Sequence, residues 1–409
     1  MDQNQDGRII GFDSHPDSFT AAIMRGEKAL HAQCQQMFNK IPMSGLESWA
    51  KKHTRPQDTI CLEASGNSFQ IVRQLSRLGR KAIVLESYSL GKLKEGFANN
   101  DKISAVRIAM GYMSGFAKIV WVPDLITQQR RDLFHAHQKT VKRATQMRNR
   151  IQSYLNDNGV RLPVRTELAA NKGISELLRK LSDWSPLQWM LLESFLRELQ
   201  QADEERAKLR QIMAEEVIRD EKLLALTRLC GIRDVVAFAL AAFIGDIKRF
   251  RSPKALVKYI GLHPAFDNSG EGEWSGGIQG HGHKQLRSLL IESGQSILRS
   301  KHHMAGWGKK LLARKSKPNI AVAALARKLV VAIWYHLNGK AQPLTEIDKS
   351  LSLKVGKIIN NIGVKRIKEM GKTRLQIRKE TYDKLKSTKI YILDPTMKLE
   401  RKTEAAVVV

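Results

Sequence analysis

Cysteine is scarce in this chain: three residues in 409, Cys34, Cys61 and Cys230, far apart and with no Cys-x-x-Cys pair. A zinc finger or ribbon needs clustered thiolate ligands and a disulfide framework needs paired thiols, so both are excluded and the three thiols read as reduced and structural. Acid is also in deficit, with 40 Asp and Glu against 69 Lys and Arg, a formal net charge of +29. That surplus exceeds what solubility requires and points to a polyanionic partner, nucleic acid before a membrane surface. Long apolar runs are missing: no stretch approaches the roughly 20 apolar residues of a membrane span. The polar segment Met1 to Arg8 has no apolar core of a signal peptide, so the expected location is the cytoplasm.

What is present suffices for two or three domains with real cores, since 42% of the residues are apolar. Residues 8 to 90 alternate short apolar runs with helical patterns. Ile9 to Phe12, Phe19 to Met24, Ile60 to Leu62 and Ala82 to Leu85 predict strands, and Asn67 to Leu78 an amphipathic helix closed by Gly79. This is α/β texture. From Leu125 to Asn158 the pattern is wholly helical, with Leu133, Val141, Ala144, Ile151 and Leu155 near helical spacing. Pro186 to Asp220 predicts a second long, charged helix carrying Leu192, Phe195, Leu196, Leu199, Leu209 and Ile212, and the two can pair as an antiparallel coiled coil. Gly159 to Ser185 reads as a connection with a short helix.

Leu226 to Ala237 reads as helix, tight turn at Gly231, helix, the second running to Ile244. Such a hairpin turns backbone amides outward and can grip a phosphate backbone, or is a plain turn in a bundle. Residues 263 to 284 break the helical pattern as a polar, Gly-rich loop containing Ser269-Gly270, Ser275-Gly276, His281 and His283. The two histidines are candidates for phosphate contact or proton transfer. Asn319 to His336 predicts an apolar helix. Beyond Gly339 the chain is lysine-rich with no strong core face and reads as a partly helical basic tail.

Three carboxylates have the setting of a metal-dependent nuclease core. Asp13 ends the run Arg8 to Phe12, Glu63 ends Thr59 to Leu62 before Ala64-Ser65-Gly66, and Asp101 opens a predicted helix, Asp101 to Met113. An Asp after a strand is more often a turn former or helix cap, so each alone says little. Together, carboxylates from two strand ends and a helix can converge on Mg²⁺ ions in phosphoryl transfer.

In this order, the segments resemble the DEDD transposases of the insertion-sequence 110/1111 class, serine-using recombinases guided by a bridge RNA, with the Piv-type DNA invertases among their relatives. The likeness covers roughly residues 8 to 338. Its most specific stretches are Gly11-Phe12-Asp13-Ser14-His15-Pro16-Asp17 and Leu62-Glu63-Ala64-Ser65-Gly66. Ile244 to Leu256 with Tyr259-Ile260-Gly261-Leu262, Gly277-Ile278 followed by Lys284-Gln285-Leu286-Arg287, and Ala321 to Trp334 add to it.

The resemblance implies a RuvC-like, ribonuclease-H-type domain over 1–122, a helical coiled-coil region over 123–222 and a small helical transposase domain with the nucleophile loop over 223–339; the basic extension over 340–409 is read from its composition. It implies a metal site of Asp13, Glu63 and Asp101 holding Mg²⁺, or Mn²⁺ in its place, with Ser269 as nucleophile and Ser275 as the competing assignment. The fourth acid of the family pattern falls at Ser104, a poor ligand beside a carboxylate, so another acid such as Asp17 or Asp124, or a bound water, would have to make up the set. The turn Ile278-Gln279-Gly280-His281-Gly282 also departs from the family's Ile-Ser-Lys-x-Gly. The implied activity is cutting and rejoining of DNA by an insertion-sequence transposase, with a structured guide RNA and DNA as partners and nucleoid association on DNA. With acids and serine in separate domains, the reading expects a homo-oligomer, a dimer or tetramer. Two other readings remain open: a nucleic-acid-binding descendant impaired in catalysis, and a RuvC-like nuclease that uses metal-activated water.

Overall fold

Continuous burial along β1, β2 and β4 marks a sheet that is covered on both faces. The computed structural model describes residues 8–26, 28–93, 100–161, 183–269, 272–278, 281–339 and 348–387. The chain divides into two compact units, Met1–Asp124 and Leu125–Val409.

In the first unit, β1 (Ile9–Ser14), β2 (Ser18–Arg25), β3 (Gln33–Pro42), β4 (Thr59–Glu63), β5 (Lys81–Leu85) and β6 (Ile119–Val120) form one six-stranded sheet in the order β3-β2-β1-β4-β5-β6. The pairs β1-β4 and β4-β5 are parallel, and β1-β2, β2-β3 and β5-β6 are antiparallel. All four predicted strands are present. Of the two not predicted, β6 is only two residues long, and the polar run Gln33-Cys34-Gln35-Gln36 hid β3, because an edge strand exposed over most of its length carries little apolar signal.

Side chains at successive strand positions fall on opposite faces. Ile10, Phe12, Ile60 and Leu62 pack with α1 (Leu46–His53) and α2 (Ser68–Arg77) through Leu46, Trp49, Ile71 and Leu75. Phe12 and Phe19 stack at 4.5 Å with Trp49 edge-on to both. Each such ring, fully buried, contributes on the order of 1.5–3 kcal/mol. The other face carries Cys61 and Leu85 against α3 (Ser87–Gly91) and α4 (Asp101–Met113), through Leu90 and Ile108. Gly11 belongs to this face, and a Cβ there would land on the Ala105 carbonyl, so glycine lets α4 lie directly on β1.

In the second unit, α5 (Leu125–Asp157) and α6 (Pro186–Arg219) pair antiparallel, Ala144, Ile151 and Leu155 meeting Leu192, Phe195, Leu199 and Ala202. Ion pairs flank the seam: Arg148 to Asp203 at 2.6 Å, and Arg130 to Glu216 at 2.6 Å and Asp220 at 3.1 Å. Further along α6 the register differs from the sequence reading. Ile212 is 49% exposed and Met213 is the buried residue. Of the expected Gly159–Ser185 connection, 162–182 lie outside the described residues.

The helices α7 (Glu221–Leu226), α8 (Asp234–Ile244), α9 (Pro253–Ile260), α10 (Lys284–Leu298), α11 (His303–Lys315) and α12 (Pro318–Leu337) share one apolar core, in which Phe238, Leu240, Leu256, Leu290 and Leu329 are buried. By length and composition α12 is apolar enough to cross a membrane, contrary to the reading that no stretch approaches a span. Its Ala321, Leu325, Leu329 and Ile333 are buried, and Arg327 donates to the Leu262 carbonyl at 3.0 Å.

Two further expectations are corrected. The stretch read as a loop contains a β-hairpin, β7 (Pro264–Ser269) with β8 (Gly272–Ile278), whose polar residues gave no alternation of apolar side chains. The region beyond Gly339 also has a core face. There α13 (Asp348–Ile362), α14 (Val364–Glu369) and α15 (Arg374–Ser387) bury Leu351, Val355, Ile358, Ile362, Ile367 and Leu385 against Ala214 of α6 and Leu224 of α7. Lys354 donates to the Thr227 and Leu229 carbonyls at 2.6 and 2.9 Å. Asn361 donates to Asp234, and Arg366 to Glu215.

Candidate metal centre

The parallel pairing of β1 and β4 sets Phe12 opposite Leu62, which brings the next residues, Asp13 and Glu63, to neighbouring strand ends on the α4 face. Asp101 is the first residue of α4. Asn100 caps that helix, its side chain accepting from the Ile103 amide at 2.9 Å, and this fixes where the first turn starts. Sheet and helix thus meet at one place.

Ligand atoms of Asp13, His15 and Asp101 lie within 4.8 Å of one another. His15 Nε2 is 3.9 Å from Asp13 Oδ2 and 3.5 Å from Asp101 Oδ1. The turn that carries His15 is tied down. Its amide donates to the Ser18 carbonyl at 2.8 Å, and its own carbonyl accepts from Asn67 Nδ2 at 2.9 Å. Asn67 Oδ1 in turn accepts from the Ser14 and Ser65 hydroxyls at 3.2 and 3.0 Å, joining the turns after β1 and β4.

Burial raises the Asp13 carboxyl above its ordinary value, opposed by nearby His15, while the charges of Asp101 and Glu63 push it further up and Arg107 pulls it down. Carboxylates that raise one another's proton affinity are a place where a cation is favoured. The donor set, two carboxylates and one imidazole nitrogen at a sheet edge, fits a divalent ion with oxygen and nitrogen ligands.

Among the sequence candidates, Asp13 and Asp101 come together with His15, and Glu63 is close enough to act on Asp13 through its charge. Ser104 is half-buried, one turn along α4 from Asp101. Asp17 is exposed, its carbonyl accepting from the Met43 amide, and Asp124 is exposed just before α5. The sequence reading passed over His15 as a ligand. A histidine two residues after a strand-end Asp was the available signal.

Ser269 ends β7 and pairs with Gly272, and Ser275 lies in β8 opposite Phe266; their side chains lie outside what the structure describes. His283 caps α10, its Nδ1 accepting from the Leu286 amide at 3.2 Å, and its ring packs 4.1 Å from that of Phe243. Burial, and then the charge of Arg131, lower its pKa to about 4, which favours the neutral ring. His281 is exposed, its carbonyl accepting from Arg287.

The helix, turn at Gly231 and helix to Ile244 are present as read. A Cβ at Gly231 would come within 2.8 Å of the Ser293 carbonyl, so this residue faces α10. The start of α8 borders a cavity of about 480 Å³ lined by His137, Arg206, Arg210 and Arg233 among others.

The first unit thus carries a carboxylate–imidazole cluster, and the chain as a whole a large surplus of basic residues. Residues 224–306 match the family model described as Transposase IS116/IS110/IS902 family. A Pseudomonas aeruginosa protein named "Probable family 20 transposase" is 24% identical over 286 residues, 68% of this chain and 83% of that protein. The transposase for insertion sequence element IS1111A of Coxiella burnetii is 25% identical, over 58% of this chain and 65% of its own length. The transposase for insertion sequence element IS1328 of Yersinia enterocolitica is 21% identical, over 78% of this chain and 96% of its own length. The family match and these relatives support one coarse class, an insertion-sequence transposase of the IS110/IS116/IS902 family.

Proposed function

We propose that this protein cuts and rejoins DNA as the transposase of an insertion sequence, with Ser269 as nucleophile and the cluster at Asp13 as its metal centre. The observation that carries the reading is the convergence of Asp13, His15 and Asp101 at the sheet edge, in a chain whose residues 224–306 match a transposase family.

Asp13, Glu63 and Asp101 would hold the cation, with Ser104 beside them where the family pattern has its fourth acid. A divalent ion bound there supplies positive charge that stabilises a phosphate oxygen as charge builds on it and makes a bound oxygen nucleophile more acidic. Asn67, Ser14 and Ser65 keep the two strand-end turns in register, so the carboxylates need not reorganise.

In the transfer step the Ser269 Oγ–P bond forms as a bridging P–O bond of the DNA breaks. The serine proton is lost and the leaving strand end takes one up, which leaves a phosphoserine link that a second strand hydroxyl reverses. Phosphate contacts come from basic side chains that face solvent on α5, Lys139, Lys142 and Arg143. A structured guide RNA, paired with target DNA, would select sequence.

The test is covalent trapping. Purified protein with Mg²⁺ or Mn²⁺ and element-end DNA should give a protein–DNA adduct that survives denaturation and disappears with Asp13→Asn. DNA binding without an adduct, under every metal and guide condition, would reject strand transfer. Cleavage without an adduct would favour metal-activated water. Ser104→Asp should lower the Mg²⁺ concentration needed, because it restores a hard oxygen ligand.

A further inference from the structure

We propose that His15 is itself a ligand of the cation held by Asp13 and Asp101, occupying the role that Ser104 leaves without a carboxylate, and that the centre therefore prefers Mn²⁺ to Mg²⁺. This rests on the reading of Asp13, Glu63 and Asp101 as a cation site, and goes beyond it in naming His15 as a further ligand and in choosing between the two metals.

Distances come first. With metal–ligand bonds of about 2.1 Å, ligand atoms on one octahedral ion stand about 3.0 Å apart at adjacent positions and about 4.2 Å apart at opposite ones. The separations from His15 Nε2, 3.5 Å to Asp101 Oδ1 and 3.9 Å to Asp13 Oδ2, fall inside that span. One nitrogen faces both carboxylates, the arrangement needed for a single ion to sit among the three.

The backbone of His15 is pinned on both sides, by the Ser18 carbonyl and by Asn67 Nδ2, while its side chain remains 49% exposed. The ring can therefore adjust by small rotations without moving the turn, and water has room to complete the coordination. Ser104, half-buried on the same stretch of α4 as Asp101, offers only a hydroxyl. A neutral hydroxyl competes poorly with water for a hard cation, whereas an imidazole nitrogen binds first-row transition ions well.

The choice of metal follows from the donor set. Mg²⁺ favours an all-oxygen shell and gives up water reluctantly, so an imidazole adds little to its affinity. Mn²⁺ accepts the same carboxylates and gains from the nitrogen.

The test uses the full-length protein and the metals alone. Mn²⁺ and Mg²⁺ affinities are measured by calorimetry, and Mn²⁺ bound at one equivalent is examined by pulsed electron paramagnetic resonance for coupling to a directly bonded ¹⁴N. Wild type should bind Mn²⁺ more tightly and show the nitrogen coupling. His15→Ala should remove that coupling and weaken Mn²⁺ by about tenfold or more, as loss of a ligand or its support does, with Mg²⁺ changing by less than about threefold. His15→Asp, which keeps a ligand at the position, should reverse the preference toward Mg²⁺ and guards against a folding defect in the alanine variant. Coupling that persists in His15→Ala, or an unchanged Mn²⁺ to Mg²⁺ ratio, would overturn the assignment of His15 while leaving the centre standing. No binding of either ion, or binding untouched by Asp13→Asn, would overturn the centre and this inference with it.

Discussion

The side-chain amide of Asn67 donates to the main-chain carbonyl of His15 at 2.9 Å, so a residue at the start of α2 fixes the turn after β1. Because Asn67 Oδ1 also accepts from Ser14 and Ser65, one side chain holds both strand-end turns. Asn67→Ala should cost about 1 kcal/mol of stability. It should weaken metal binding on the order of tenfold, since a loosened support misplaces the ligands. Metal titration beside urea unfolding checks this; unchanged affinity would mean the turns hold themselves.

Gly11→Ala should be far more damaging than an exposed Gly→Ala change. The added methyl would meet the Ala105 carbonyl, forcing α4 off β1 and carrying Asp101 away from Asp13. Overpacking of this kind costs about 1–3 kcal/mol. A thermal melt and a metal titration on the same variant read both effects.

Ser269→Ala should abolish covalent DNA adducts while leaving DNA affinity within about twofold of wild type, because a single hydroxyl on a short hairpin contributes little to stability. Ser275→Ala should retain the adduct. The reverse result would move the nucleophile to Ser275.

DNA affinity should fall steeply with salt, each neutralised phosphate contributing about 0.9 to the slope of log K against log salt. Replacing Lys139, Lys142 and Arg143, which face solvent, should reduce the slope by up to about one per contact and leave the melting temperature nearly unchanged. Arg130 and Arg148 should behave differently, because they pair with Glu216 and Asp203 across the helical hairpin. Their loss should register in stability.

The second unit should lose stability in mild acid. His137 and His283 have pKa values lowered to about 4 from an ordinary 6.5, mainly by burial. A depressed pKa means the unfolded chain takes up the proton first, so the stability that neutral histidine confers is whole above about 6.5 and is lost as pH falls toward 4. Between pH 7 and pH 5 each should contribute a loss on the order of 2 kcal/mol. Urea unfolding at the two pH values measures it, and His283→Asn, which keeps a good helix cap, should flatten part of the dependence.

Some of this protein was determined by sequence alone. Short apolar runs marked β1, β2, β4 and β5, because a sheet packed against helices on both faces buries consecutive residues along its strands. The span of α4, Asp101 to Met113, is the one predicted from the sequence. The long helices α5 and α6 were legible from uninterrupted helical periodicity, and the basic charge needed only counting.

Tertiary structure decided the rest. The cluster of Asp13, His15 and Asp101 joins positions remote in sequence, and a half-exposed histidine in a turn has no periodicity to announce it. The helices beyond Gly339 looked like a basic tail because their apolar residues acquire a core only against Ala214 and Leu224, more than a hundred residues earlier. Which arginines hold the fold together was equally hidden: charge is written in the sequence, but its partner is chosen by packing.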